Sequence, residues 1–255
     1  MIVRRRRVVA SHAQLTTRDL EVLRDVVRFG ALTVQQVSRR HFSSRQRANA
    51  RLAALVAGGY LRGERVWYRG PSIYLATPAG ARLADVGLPP GHLAVATLRH
   101  HLAVADLAEH LLAEHPGASW VTERELRRDG MTAVRDRGDG RLLEGLPHVP
   151  DGVLVLGDGS RVAVELEASP KRQSAYERIF AWYAGTFDYA AVRWFCPAPA
   201  VEARLRKLVE RQQVDDLISV EGLPRRPAAW HEADRWCSGE KDLSGDVQTH
   251  EMGIL

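Results

Sequence analysis

The eighteen residues from Pro150 to Glu167 limit the fold more than any other segment of the chain. Two apolar-rich stretches, Gly152–Leu156 and Arg161–Leu166, flank a Gly157-Asp158-Gly159 turn, so the segment reads as a β-hairpin whose register can be worked out. A two-residue turn pairs Asp151 with Leu166 and scatters acids and apolar residues over both faces. A three-residue loop with Gly159 in the left-handed conformation instead pairs Asp151 with Glu165 and Leu154 with Val162. Leu154, Leu156, Val162, Val164 and Leu166 then share one face, and Asp151, Glu165 and Glu167 share the other. Burying the apolar set is enough to gather three carboxylates.

Carboxylates gathered in a partly dry site repel one another, and a cation relieves that repulsion. Oxygen ligands of this kind suit Mg²⁺ or Mn²⁺, which polarises a phosphate oxygen and lowers the pKa of a bound water. The competing reading is an exposed hairpin edge with solvated acids. Val153, Val155 and Ala163 on the same face argue against full exposure.

The front of the chain has a different character. Residues 1–90 hold 16 arginines, no lysine and 5 acids, a net of +11, whereas residues 91–255 hold 20 basic groups against 26 acids, a net of −6. GC-rich coding explains arginine over lysine, but not acids scarce only at the front. That imbalance points to a polyanionic partner for the first part. Residues 1–14 read as a basic arm. A helix capped at Thr16 or Thr17 runs to about Phe29, a second spans Leu32–Arg40, and a third opens at Ser43 with Gln46 in a capping-box pattern and ends near Ala57. Val66–Tyr68 and Ile73–Leu75 then suggest two short strands around Gly70-Pro71. Three helices and a hairpin resemble the winged helix-turn-helix, whose third helix enters the major groove of double-stranded DNA. Arg45, Arg47, Asn49 and Arg51 lie on or near the polar side of that helix, and Arg69 on the wing; arginine and asparagine reach base edges or grip phosphate. The competing reading is a basic helix face in a protein-docking winged helix.

The segmentation is an arm (1–14), a winged-helix domain (15–86), a linker around Gly87–Gly91 reaching to 97, an α/β domain (98–222) and a loose tail (223–255) containing Trp230 and Trp236. A short helix follows Thr77, and a longer one carries Leu98, Leu102, Ala105 and Leu112. His100, His101 and His110 decorate the latter without the i, i+4 spacing of a helical metal pair, which favours a structural or solvent role. Residues 129–148 lack periodicity and read as a loop; a helix from Ser169 to Gly185, a strand over Tyr189–Cys196, a helix from Pro199 and an edge strand at Leu217–Val220 complete the domain. No stretch approaches the roughly 18 apolar residues of a membrane span. Two cysteines, Cys196 and Cys237, argue against a disulfide framework or a structural zinc site, so a reducing cytoplasm and no membrane partner are expected.

Pro150-Asp151 and Glu165-Leu166-Glu167 resemble the PD-(D/E)XK nuclease motif, with Glu167 in the lysine position, as in some restriction endonucleases. The expected fold is therefore α+β overall: a winged helix followed by a restriction-endonuclease-like α/β domain with a mixed central sheet. The resemblance implies Asp151 and Glu165 as ligands of Mg²⁺ or Mn²⁺, Glu167 as further ligand or base, and an extra acid from Glu109, Glu123 or Glu125. Lys171, placed in the first turn of a helix capped by Ser169, is the candidate for phosphate charge. Tyr176 and Tyr183, on that helix, are alternatives as a covalent nucleophile or as packing residues.

Domain order and motif together resemble the replication-relaxation family of plasmids and integrative elements, over roughly residues 15–212. That resemblance implies a mobile-element DNA endonuclease or relaxase-like nickase, with a second copy or other replication and transfer proteins as partners. The rival is a winged-helix regulator or replication adaptor with a degenerate nuclease-like domain, and the missing motif lysine supports it.

Overall fold

A computed structural model describes residues 14–68, 70–92, 94–136, 148–167 and 169–224, with backbone alone over 131–136. The basic arm up to 13, Arg69, and the tail from 225 with Trp230, Trp236 and Cys237 lie outside the described residues.

The first unit is four helices and a small three-stranded sheet. Helix α1 (Thr17–Phe29) opens on a reciprocal capping box between Thr16 and Asp19 and closes at Gly30, whose φ of 80° needs a residue without a β-carbon. Leu32–Thr33, expected to be helical, form a short strand β1 instead, because Leu32 pairs with Tyr74 while the Thr33 hydroxyl caps α2 (Val34–His41). Helix α3 (Arg45–Ala57) is capped by Ser44 rather than Ser43. Strands β2 (Leu61–Glu64) and β3 (Ile73–Ala76) form the hairpin. Val66 and Trp67 lie in its connecting loop, not in a strand, and pack against the Ile73, Leu75, Leu98 and Leu102 cluster. Helix α4 (Pro78–Ala84), capped by Thr77, closes the unit.

The second unit is a five-stranded mixed sheet with helices on both sides. Helix α5 (Val95–Glu114) precedes an antiparallel meander of β4 (Ser119–Thr122), β5 (Gly152–Val155) and β6 (Arg161–Leu166). Between β4 and β5, α6 (Glu123–Asp136) includes residues 129–136, where the lack of periodicity predicts a loop. Helix α7 (Gln173–Gly185), β7 (Ala191–Cys196), α8 (Pro199–Gln212) and β8 (Ile218–Gly222) follow, with β7 and β8 parallel to β6 and the order β4-β5-β6-β7-β8. The molecule is α+β, with the mixed sheet expected. Gly159 has φ 85°, and Leu154 faces Val162, so the three-residue loop sets the hairpin register. Leu154, Val162, Val164 and Leu166 pack toward α5, whereas Ala163 packs with Tyr176, Phe180 and Tyr183 of α7.

The segment between the units is not a free tether. Leu88 is buried in the first core, and residues 95–97, placed in the linker from sequence, already belong to α5. The Gln36 amide donates to Leu102 O (2.8 Å) and Asp106 Oδ1 (3.0 Å), and Arg39 reaches Asp106 (2.5 Å) and Glu109 (2.8 Å). Helix α2 of the winged helix is thus bolted to α5. Among the described residues no helix is long and apolar enough to cross a membrane.

Candidate functional site

Helix α3 turns Ala48, Leu52 and Leu55 into the core, which leaves Arg45, Arg47 and Asn49 exposed on its outer face. Ser44 accepts a hydrogen bond from the Arg47 amide, and the Arg47 guanidinium donates to Ser43 Oγ at 3.0 Å. Arg51 stands apart from this group. Its guanidinium grips both oxygens of Asp19, at 2.6 Å for Nε, and so ties α3 to the first turn of α1. Burial pushes the Asp19 carboxyl up, but the Arg51 and Thr16 hydrogen bonds outweigh it and hold the carboxyl below its usual range. On the hairpin, Arg62 and Arg65 are exposed; neither is among the arginines expected from sequence, and the expected Arg69 lies outside the described residues.

Each of the three carboxylates on the larger sheet meets a protein partner. Asp151, just before β5, accepts from the Leu166 amide at 2.8 Å and pairs with His100 Nε2 of α5 at 2.9 Å. Glu165, 5% exposed, accepts the Tyr183 hydroxyl at 2.5 Å and meets His148 Nε2 at the same distance. Glu167, 3% exposed, holds the Lys171 ammonium at 2.7 Å. Burial raises the Glu165 pKa; the His148 hydrogen bond works against that shift and the neighbouring Asp151 charge adds to it. Burial alone would lower the His100 pKa, yet the bond to Asp151 and that carboxylate's charge leave it raised.

Lys171 lies before α7, not in its first turn, because the helix starts at Gln173 after Arg172, without a side-chain cap. The backbone of Lys171 donates instead to the Tyr176 hydroxyl at 2.8 Å. Tyr176 and Tyr183 are both 1% exposed. Burial, foremost, pushes the Tyr176 phenol up to about 12 and the Tyr183 phenol higher still. Neither is a ready nucleophile.

The structure also separates the three further acids. Glu109 is taken by Arg39 and Arg40, and Glu125 caps α6 through Thr122 while pairing with Arg28 at 2.8 Å. Glu123 pairs with Arg127 and lines a cleft together with Asp151, His100 and His101. His100, His148 and the structural part of Tyr183 were not assigned to the site from sequence. A histidine one helical turn or one loop away in space leaves no spacing signal.

The oxygen chemistry of Asp151, Glu165 and Glu167 suits a hard divalent ion. The arrangement does not: Asp151 turns to α5, Glu165 to α7, and Glu167 to Lys171, and no three His, Cys, Asp or Glu side chains among the described residues are grouped to hold a metal. As placed, these carboxylates are hydrogen-bonded by imidazole, phenol and ammonium groups of the chain itself.

The model of the family described as Replication-relaxation matches residues 23–184, from the middle of α1 through the carboxylate hairpin into the last turn of α7. Neither the curated proteins nor the solved structures contain a match to the chain.

Proposed function

The chain belongs to the replication-relaxation family, which ties it to plasmid or mobile-element replication, and from that premise we propose that it docks on double-stranded DNA through α3 and the hairpin loop. The observation that carries this reading is the outer face of α3, where Arg45, Arg47 and Asn49 are exposed beside a wing bearing Arg62 and Arg65. Arginine and asparagine on a helix of this position grip phosphates and read guanine or adenine edges. The α/β domain then serves as a rigid base, since α2 is fastened to α5 by Gln36 and Arg39.

Fluorescence anisotropy on a labelled duplex tests the reading. Replacing Arg45 and Arg47 together by alanine is expected to weaken binding by about 10- to 100-fold and to cut the salt dependence by about two ion equivalents. Unchanged affinity sends the winged helix to the protein-docking class.

A second reading, phosphodiester cleavage with Mg²⁺ or Mn²⁺, has one observation of its own: Asp151 accepts from the Leu166 amide at 2.8 Å, which holds its carboxylate against the strand segment that carries Glu165. It requires His148 and Lys171 to give up their carboxylates. Incubation with supercoiled plasmid and Mn²⁺ decides it: nicked circles from the parent, absent with Asp151→Ala at unchanged DNA affinity, carry the enzyme reading. Intact plasmid leaves the DNA-docking adaptor.

A further inference from the structure

Helix α8 carries a charge pattern that neither the carboxylate network nor the α3 face accounts for. Arg204, Lys207 and Arg211 fall at i, i+3 and i+7, so they form one stripe along the helix, and all three are exposed. They lie in the part of the chain where acids outnumber bases, 26 to 20 over residues 91–255. Several cations around them are matched. Arg193 pairs with Glu221, Lys171 with Glu167, and Arg206, off the stripe on α8 itself, with Glu202 at 2.6 Å while it donates to Val220 O. The stripe has no such match: among the described residues none of its three side chains forms an ion pair or a hydrogen bond, although Glu210 is exposed on the same helix. Like charges three and four residues apart weaken a helix. The helix dipole favours Arg211 in the last turn but does nothing for Arg204 and Lys207.

We propose that this stripe docks on the phosphate backbone of a duplex DNA segment other than the one on α3. The choice of DNA among polyanions rests on the DNA reading of α3 above. Steps of three and four residues set the cations about 4.5 and 6 Å apart along the helix, within reach of neighbouring phosphates of one strand. No large apolar side chain of α8 is exposed, so the face lacks both the apolar centre of a protein interface and the stacking surface that a single strand uses. It suits contact with phosphates, independent of sequence. Helix α8 packs with α7 on the sheet face that carries Trp194 and Val220, whereas Val164, Leu166 and Phe195 face α5, the helix to which the winged helix is fastened. The stripe is therefore a second surface rather than an extension of the first, and a chain that uses both holds two DNA segments at once.

Duplex anisotropy on the full chain compares the parent and the Arg45→Ala, Arg47→Ala protein, each with and without Arg204→Gln, Lys207→Gln and Arg211→Gln. The glutamines are expected to lower the residual affinity of the α3 variant by about tenfold and its salt dependence by about three ion equivalents. They remove like-charge neighbours, so melting at or above the parent temperature is expected. Glu210→Lys, which adds a cation beside the stripe, is expected to tighten binding about threefold, a gain that no folding defect produces. Two-segment binding is read by capture of a fluorescent duplex on beads that carry another duplex: the parent captures it, and the alanine and glutamine variants do not. Affinity, salt slope and capture unchanged by the glutamines overturn the stripe and leave the α3 face standing, as does a Glu210→Lys protein that binds no tighter than the parent. Loss with the glutamines and none with the alanines keeps the stripe and removes the α3 reading instead. A parent that captures nothing overturns the second segment. Polyglutamate held more tightly than duplex, and released by the glutamines, gives the stripe to an acidic protein and overturns the DNA assignment.

Discussion

Arg45 and Arg47 on α3 stand in solvent, whereas Glu165 on β6 and Glu167 just after it are drawn almost wholly inside and paired. Both sets were singled out by the sequence as functional charge. On the helix the charge has been left for something outside the chain to neutralise, at little cost, because water solvates it meanwhile. On the strand it has been taken out of water, and the chain must supply partners at once, since an unpaired buried ion costs several kcal/mol. The surface therefore reads as a docking face and the strand site as a closed polar network. Stability measurements can break this contrast.

The largest expected effect falls on a residue that looks like a surface acid in sequence. Asp19 belongs to the capping box of α1 and receives the Arg51 guanidinium, with its side chain 1% exposed. Asp19→Ala removes a cap and strands Arg51, so a loss of about 3–4 kcal/mol is expected in urea denaturation. Its carboxyl is held below the usual range, so its contribution is complete above the unfolded carboxyl value of about 3.9 and disappears as pH falls through the lower folded value. Arg45→Ala and Arg47→Ala, by contrast, are expected to shift stability by no more than about 0.5 kcal/mol. Equal losses at Asp19 and Arg45 would erase the distinction between a structural and a docking arginine.

Next comes Lys171→Ala, which leaves Glu167 buried without its ammonium. Lys171 is 44% exposed, so water replaces part of what is lost, and a destabilisation of about 2 kcal/mol is expected. A Lys171 held only for phosphate chemistry would leave the melting temperature unmoved.

How much of this could be read without coordinates follows from what each inference used. The hairpin register was legible because alternation of Leu154, Val162, Val164 and Leu166 tolerates one pairing, and the structure has it. The α1 cap and Gly30 were legible because caps are local. Leu32–Thr33 and Val66–Tyr68 were misread because their fate is set at a distance, by the partner strand at Tyr74 and by the packing of Trp67 near Leu98. The same holds at the site. Asp151, Glu165 and Glu167 carry a motif, but His100, His148 and Tyr183 reach them from other elements, and nothing local announces a partner 51, 17 or 18 residues away. Arg51 was grouped with Arg45 and Arg47 by helix position; only the placement of Asp19 on α1 shows that it faces inward.

A small expected effect at Glu165 is the most discriminating. Glu165 has its pKa raised by burial, so the folded chain holds that proton to higher pH than the unfolded chain does. The sign is then opposite to that of Asp19: stability from this group is present at low pH and falls as pH rises from the unfolded value of about 4.3 through the folded one. Glu165→Gln keeps an oxygen for the Tyr183 hydroxyl and His148 while removing the charge. At neutral pH the variant is expected to equal or slightly exceed the parent, within about 1 kcal/mol, and to lose that advantage as the pH approaches 4. Urea midpoints taken across that range read the difference directly. A variant markedly weaker than the parent at neutral pH would mean that Glu165 is held as an anion within its hydrogen-bond network. The strand site would then store charge for use, as the α3 face does, and the contrast between the two regions would collapse.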